Sequence, residues 1–159
     1  MENNIDIIYS KVLGRYIEIE HGAKLRSLRF VRPGRQLLVR KTHDAAFELE
    51  RYFDGETIDF SFDVDISYLS PFGQKVLMET RKIKYGKTLT YSELAKKIGS
   101  MAVRAVGNAL GKNTVPIVIP CHRVVAKKGI GGYSGGIDIK TRLLELEQVN
   151  YPHLKEAVR

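Results

Sequence analysis

The sequence predicts an α+β protein. A small antiparallel sheet with one helix comes first, and a mainly helical part containing a helix-turn-helix follows. Three observations predict this. The opening residues alternate apolar and polar between glycine breaks, as half-buried strands do. Later segments carry apolar residues at helical spacing between capping signals. The charge is also divided: residues 1–67 hold ten Lys/Arg and twelve Asp/Glu, whereas residues 68–159 hold sixteen and six. The net charge of +8 therefore arises in the second part. We read 1–67 as a scaffold domain and 68–159 as the working domain, whose basic surplus suits a polyanion such as nucleic acid.

The elements follow in order. "DIIYSKVLGRYIEIEHGAKLRSLRFV" breaks at Gly14 and at His21-Gly22, giving a three-stranded meander. In "THDAAFELERYFDGE", Ala46, Leu49 and Phe53 recur on one helical face and Asp54-Gly55 ends it. "TIDFSFDVDI" alternates strictly and is either one more strand or an extended linker. Ser70-Pro71 opens a helix with Pro71 in its first turn, with Val76, Leu77 and Ile83 on its apolar side. Thr90 and Glu93 form a capping box ahead of a short helix that buries Leu94, Ala95 and Ile98 and stops at Gly99. Ser100 caps a second helix with Val103, Val106 and Leu110 on its core side, ending at Gly111. Two short helices joined by a tight turn make the helix-turn-helix.

The outer face of that second helix is nearly bare. Ala102, Ala105 and Ala109 share it, with Gly107 and Asn108 nearby, and only Arg104 projects far. A major-groove reader offers several long polar side chains to base edges. A bare helix with one arginine instead suits close approach to a minor groove, with Arg104 as a wedge.

The chain contains one cysteine, Cys121, in "VPIVIPCHRVVAKKGIGGYSGG". A single cysteine forms no internal disulfide and fits a reducing, cytoplasmic setting. No apolar run nears the ~20 residues of a membrane-spanning helix, and "MENNIDIIYSK" does not read as a secretory signal. The four histidines lack metal-ligand spacing, so neither a metal nor a cofactor is expected. Cys121 would act as a thiolate nucleophile, which needs a base. His122 is nearest, but neighbours in extended backbone point to opposite faces, so a bridging water or a turn is required. A carboxylate would fix the imidazole tautomer, and spacing leaves both Glu145 and Glu147 open. The bland alternative is a buried, inert thiol.

Those motifs resemble one family. "SPFGQKV", "GKTLTYSELA", "RAVGNALGKNTVPIVIPCHRVV" and "GGYSGGIDIKTRLLELE" are together similar to the O6-alkylguanine-DNA alkyltransferases, over more than half of the chain. The resemblance implies a winged form of the helix-turn-helix. It also implies direct-reversal DNA repair, with irreversible transfer of an alkyl group from O6-alkylguanine in double-stranded DNA onto Cys121. His122 would deprotonate Cys121 through a water, Glu147 would orient the histidine, and Asn113 would hold the turn before the active-site segment. Tyr91 would press on the phosphate beside the damaged base, and Arg104 would fill the gap in the stack. The bare helix surface of Ala102, Ala105 and Gly107 would lie on the DNA. Tyr133 and Ser134 would contact O6 of the flipped guanine, the carbonyls of Cys121 and Val124 would accept from its exocyclic amine, and Gly135 and Gly136 would keep that wall close. Extruding the base is required because O6 lies inside the duplex. A thioether product offers no route for release, so each chain would act once, as a monomer and without membrane attachment. The competing readings are a non-enzymatic base-flipping damage sensor or a plain helix-turn-helix DNA-binding module. Leu77 stands where many relatives carry tryptophan, and Gly132 where some carry asparagine.

Overall fold

The computed structural model describes residues 4–149. Strands β1 (Asn4–Ser10), β2 (Arg15–His21) and β3 (Leu25–Phe30) form an antiparallel sheet in that order. Alternation sets the register: Ile8 lies opposite Ile17 and Ile19 opposite Leu28, all buried. Helix α1 (Asp44–Phe53) packs against β1 and buries Ala46, Leu49, Tyr52 and Phe53. His43 caps it, Nδ1 accepting from the Ala45 amide at 3.0 Å. Buried Asp6 ties this junction to β1. It accepts from the Thr42 and His43 amides at 2.9 and 2.7 Å and from the Thr42 hydroxyl at 2.6 Å. Burial pushes its carboxyl up, but those hydrogen bonds win and leave it below the ordinary Asp value.

Residues 57–66 form an extended connection, not a strand: Val64 makes one parallel bridge to Leu25, whose amide donates to the Asp63 carbonyl at 2.9 Å. Helix α2 (Pro71–Thr80) starts at Ser70, whose hydroxyl accepts from the Gly73 amide. It ends before Ile83, which is buried in the turn that follows. The two-residue strands β4 (Leu89–Thr90) and β5 (Val124–Val125) pair in parallel. Helix α3 (Tyr91–Lys97) carries the complete Thr90–Glu93 capping box.

Helix α4 (Val103–Gly111) corrects three sequence expectations. Its N-cap is Ala102 without a side-chain cap, while the Ser100 hydroxyl accepts from the Ala102 amide within the turn. Val103 is 38% exposed, and Ala109, expected on the bare face, is buried beside Val106 and Leu110. Both follow from α4 packing on α2 and α3 at once, which turns the Val106–Ala109–Leu110 side inward. A 3-10 turn spans Cys121–Arg123, and helix α5 (Ile137–Leu146) closes the described chain. One hydrophobic cluster runs from Ile8 and Leu49 through Val76, Leu94 and Ile119 to Leu143, so sheet and helices share a continuous core. Among the described residues no helix is long and apolar enough to cross a membrane.

Candidate active site

The segment before Cys121 is a tight, clamped turn. Ile117 sits at φ +73°, a conformation that costs a β-branched residue free energy and persists only where its surroundings impose it. Asn113 supplies part of that imposition. Its side-chain amide nitrogen donates to the Ile119 carbonyl at 2.9 Å and to the Cys121 sulfur at 3.3 Å, while its Oδ1 accepts from the Val115 amide at 3.0 Å. The sulfur is thus fixed by the turn residue that precedes it by eight positions.

The 3-10 turn resolves the geometry of Cys121 and His122. Extended backbone would set them back to back, whereas the turn sends Cys121 to a cleft and His122 into the core. The cleft has a volume of about 400 Å³ and is lined by Tyr91, Gly107, Leu110, Cys121, Tyr133 and Ser134, among others. Cys121 is 8% exposed. Burial pushes its thiol up, while the Asn113 hydrogen bond, the charge of Lys140 and the Tyr133 hydroxyl pull the other way. The balance favours the protonated thiol at rest, so attack by this sulfur would require a base.

His122 is fully buried and its Nε2 lies 2.6 Å from Oε2 of Glu147. Glu147 is therefore the partner that spacing alone left undecided, and Glu145 is exposed. Burial pushes the Glu147 carboxyl up, but hydrogen bonds and charge from His122 and Arg123 overcome this and hold it at about 2. An ionised carboxylate only accepts, so Nε2 carries the proton and Nδ1 is the free acceptor. Nδ1 is buried with no hydrogen-bond partner among the described residues. Burial pulls the imidazole below its ordinary value against the opposing pull of Glu147, which keeps it neutral and able to take a proton.

The pocket wall comes from the glycine-rich segment. The ring of Tyr133 is partly exposed, but its hydroxyl oxygen is buried beside the Cys121 sulfur, without a partner at hydrogen-bonding geometry among the described residues. Burial, then the neighbouring sulfur, push this phenol well above its ordinary value, so it stays a proton donor. Ser134 is exposed at the rim. Gly135 is pinned between rings: a Cβ there would come within 3.0 Å of Phe30 and of Tyr133. Tyr91 does not stand free on the surface. Its hydroxyl donates to the Gly132 carbonyl at 3.3 Å, and its ring lines the cleft. Ala102, Arg104 and Asn108 are exposed on α4, with Ala105 and Gly107 partly so.

Several residues that the sequence reading passed over converge here. Lys140 is fully buried, and its ammonium donates to the Val124 carbonyl at 2.6 Å and the Gly132 carbonyl at 3.0 Å. One lone pair of the Val124 carbonyl is thus already occupied. Burial lowers Lys140 to about 8, against the pull of the sulfur. Arg123 grips Glu147 with Nε at 2.8 Å and Nη2 at 3.1 Å, and reaches Asp59 through Nη1 at 2.9 Å. The Tyr52 hydroxyl donates to Oε2 of Glu147 at 2.5 Å. Tyr52 and Asp59, both within residues 1–67, thus reach Glu147 and Arg123 respectively. A charged residue on the apolar stripe of α5 was the available signal for Lys140; Tyr52 gave none.

The family description "6-O-methylguanine DNA methyltransferase, DNA binding domain" matches residues 71–149. A methylated-DNA–protein-cysteine methyltransferase of Sulfolobus acidocaldarius is 44% identical over 107 residues, which cover 67% of this chain and 68% of that protein. Among solved structures, Mycobacterium tuberculosis OGT in complex with DNA superposes with a TM-score of 0.77 at 36% identity, covering 91% of this chain and 92% of that one. The O6-methylguanine-DNA methyltransferase of the hyperthermophilic archaeon Pyrococcus kodakaraensis gives 0.70 at 28% identity, covering 93% and 100%. A cysteine sulfur at a cleft, next in sequence to a histidine–carboxylate pair, thus sits in a fold and a sequence shared with these proteins, and the chain belongs to the methylated-DNA–protein-cysteine methyltransferase family.

Proposed function

We propose that the protein repairs DNA by moving an alkyl group from O6 of guanine onto Sγ of Cys121, once per chain. The observation that carries this reading is the placement of Cys121: its sulfur lines a cleft, held by Asn113 at 3.3 Å, next in sequence to a neutral histidine paired with Glu147 at 2.6 Å. The thiol proton passes through a water to His122 Nδ1, and Glu147 stabilises the imidazolium that forms. The sulfur attacks the alkyl carbon, the carbon–O6 bond breaks with its electrons passing to O6, and the guanine anion takes up one proton, matching the one the thiol gave to His122. The Tyr133 hydroxyl donates a hydrogen bond to O6 as charge develops there. Ser134 supports the same edge, and the carbonyls of Cys121 and Val124 accept from the exocyclic amine of the base. The thioether has no second nucleophile to release it, so the chain is consumed.

Duplex DNA meets the exposed face of α4, where Ala102, Ala105 and Gly107 allow close approach and Arg104 enters the stack as the base turns out. Tyr91 presses on the adjoining phosphate from the cleft edge, and residues 126–129, joined by an antiparallel bridge between Ala126 and Gly129, supply the wing. In this arrangement 68–159 bind and react, while 1–67 support the carboxylate cluster. Cys121→Ala tests the reading against a binding-only protein. It should retain duplex affinity within about twofold, because phosphate contacts dominate affinity, and lose all transfer from an O6-methylguanine duplex; transfer that survives the substitution contradicts it.

A further inference from the structure

The carboxylate behind His122 is held by more donors than its role as a histidine partner requires. Oε2 of Glu147 accepts from Tyr52 at 2.5 Å, His122 at 2.6 Å and Arg123 Nη2 at 3.1 Å; Oε1 accepts from Arg123 Nε at 2.8 Å and the Gly86 amide at 3.1 Å. Tyr52 belongs to α1, at the far end of the chain from α5. It is wholly buried, its ring packed against Phe53, Phe60 and Tyr85. We infer that Tyr52 is a positioning residue for alkyl transfer, which acts through Glu147 to fix the orientation and limit the basicity of His122.

One oxygen, Oε2 of Glu147, couples Tyr52 to His122. Two short hydrogen bonds, from Tyr52 and His122, converge on Oε2, and each draws on the same negative charge. The Tyr52 proton stays in place, since burial and then Glu147 push its phenol well above the ordinary value. A permanent donor beside His122 leaves Oε2 less charge with which to stabilise the imidazolium. It also fixes the carboxylate plane, and with it the imidazole that is hydrogen-bonded to the same oxygen. The other groups facing His122 are accounted for: Arg123 and Lys140 lower its basicity by their charge, Glu147 raises it, and Cys121 precedes it in the chain. Asp59 and Tyr85 meet Arg123, not the imidazole.

This inference rests on His122 being the base in the reaction proposed above, and Tyr52→Phe tests it while keeping the ring that packs the core. In the full chain, the acid limb of the pH–rate profile for transfer from an O6-methylguanine duplex should move to higher pH by about half a unit or more, as expected when an acceptor loses a competing donor. NMR titration of the His122 ring, which needs no DNA, should move in the same direction. In a Glu147→Gln background the same substitution should change the rate less than twofold, because its route of action is gone. An unshifted acid limb and unshifted ring titration, or rate effects that multiply independently, would overturn the inference while leaving alkyl transfer intact. Loss of transfer in the wild-type chain would instead strike the reaction itself. Phe53→Leu is the control for packing alone: it should lower thermal stability and leave the acid limb in place.

Discussion

Among single residues, Glu147 is the one on which the polar contacts behind Cys121 and His122 converge. Its side chain is wholly buried with His122, and five hydrogen bonds reach its two oxygens. A carboxyl held at about 2 in the fold, against 4.5 when exposed, has its folded pKa depressed. Its contribution to stability is therefore fully present above pH 4.5 and is lost as pH falls toward 2. Glu147→Gln should be markedly less stable than wild type at pH 7, since it leaves Arg123 buried with a weaker partner. The gap between the two should narrow steadily below pH 4.5 in urea melts followed by circular dichroism. A constant gap from pH 7 to pH 3 would contradict the assignment of this carboxylate as the ionised centre. That Asn113, Cys121 and His122 lie close together follows from "NTVPIVIPCHRVV", a short and continuous stretch. Spacing could not choose between Glu145 and Glu147, because two glutamates two positions apart differ only in which side of the end of α5 they occupy; the family resemblance pointed to Glu147. The partly exposed ring with a buried hydroxyl at Tyr133 also needed three dimensions.

Secondary-structure elements place these groups by local rules that single substitutions can break. The Thr90–Glu93 capping box begins α3 one residue before Tyr91 enters the cleft. Thr90→Ala should cost about 1 kcal/mol of stability, read as a lower midpoint in thermal melts. Gly131 lies at φ +80°, and a Cβ there would come within 2.7 Å of the Tyr91 hydroxyl. Gly131→Ala should displace Tyr91 and slow transfer, from free O6-benzylguanine as well as from duplex DNA. Arg104→Ala should behave differently. It is exposed on α4 and lines no part of the cleft, so repair of duplex lesions should fall about tenfold, in line with the few kcal/mol that base extrusion involves. Reaction with the free base should stay near wild type; equal losses on both substrates would remove the finger role. Helical periodicity located α3 and α4 but misjudged the α4 face by one residue. It placed Val103 inside and Ala109 outside, because α4 contacts two helices and the inward stripe is set by both.

Charge and core organise the molecule as a whole. The surplus of Lys/Arg over Asp/Glu in residues 68–159 predicts that binding to undamaged duplex weakens steeply with salt, as phosphate contacts release counterions. A flat dependence between 50 and 200 mM, measured by fluorescence anisotropy, would contradict a phosphate-tracking surface. The division into strands-then-helices was readable from alternation, capping residues and charge. The coupling between the two parts was not, because it rests on buried groups scattered along the chain: Tyr52 on Glu147, Asp59 on Arg123, and Phe30 against Gly135. A phenol in an amphipathic helix looks like ordinary core until the fold sets it 2.5 Å from a carboxylate. The proposed reaction requires that one sulfur takes the alkyl carbon and keeps it. Incubating the full chain with excess O6-methylguanine duplex and weighing its tryptic peptides tests this most directly: the peptide bearing Cys121 should gain one methylene, to a limit of one per chain. Repeated turnover, or the added mass on any other peptide, would contradict it.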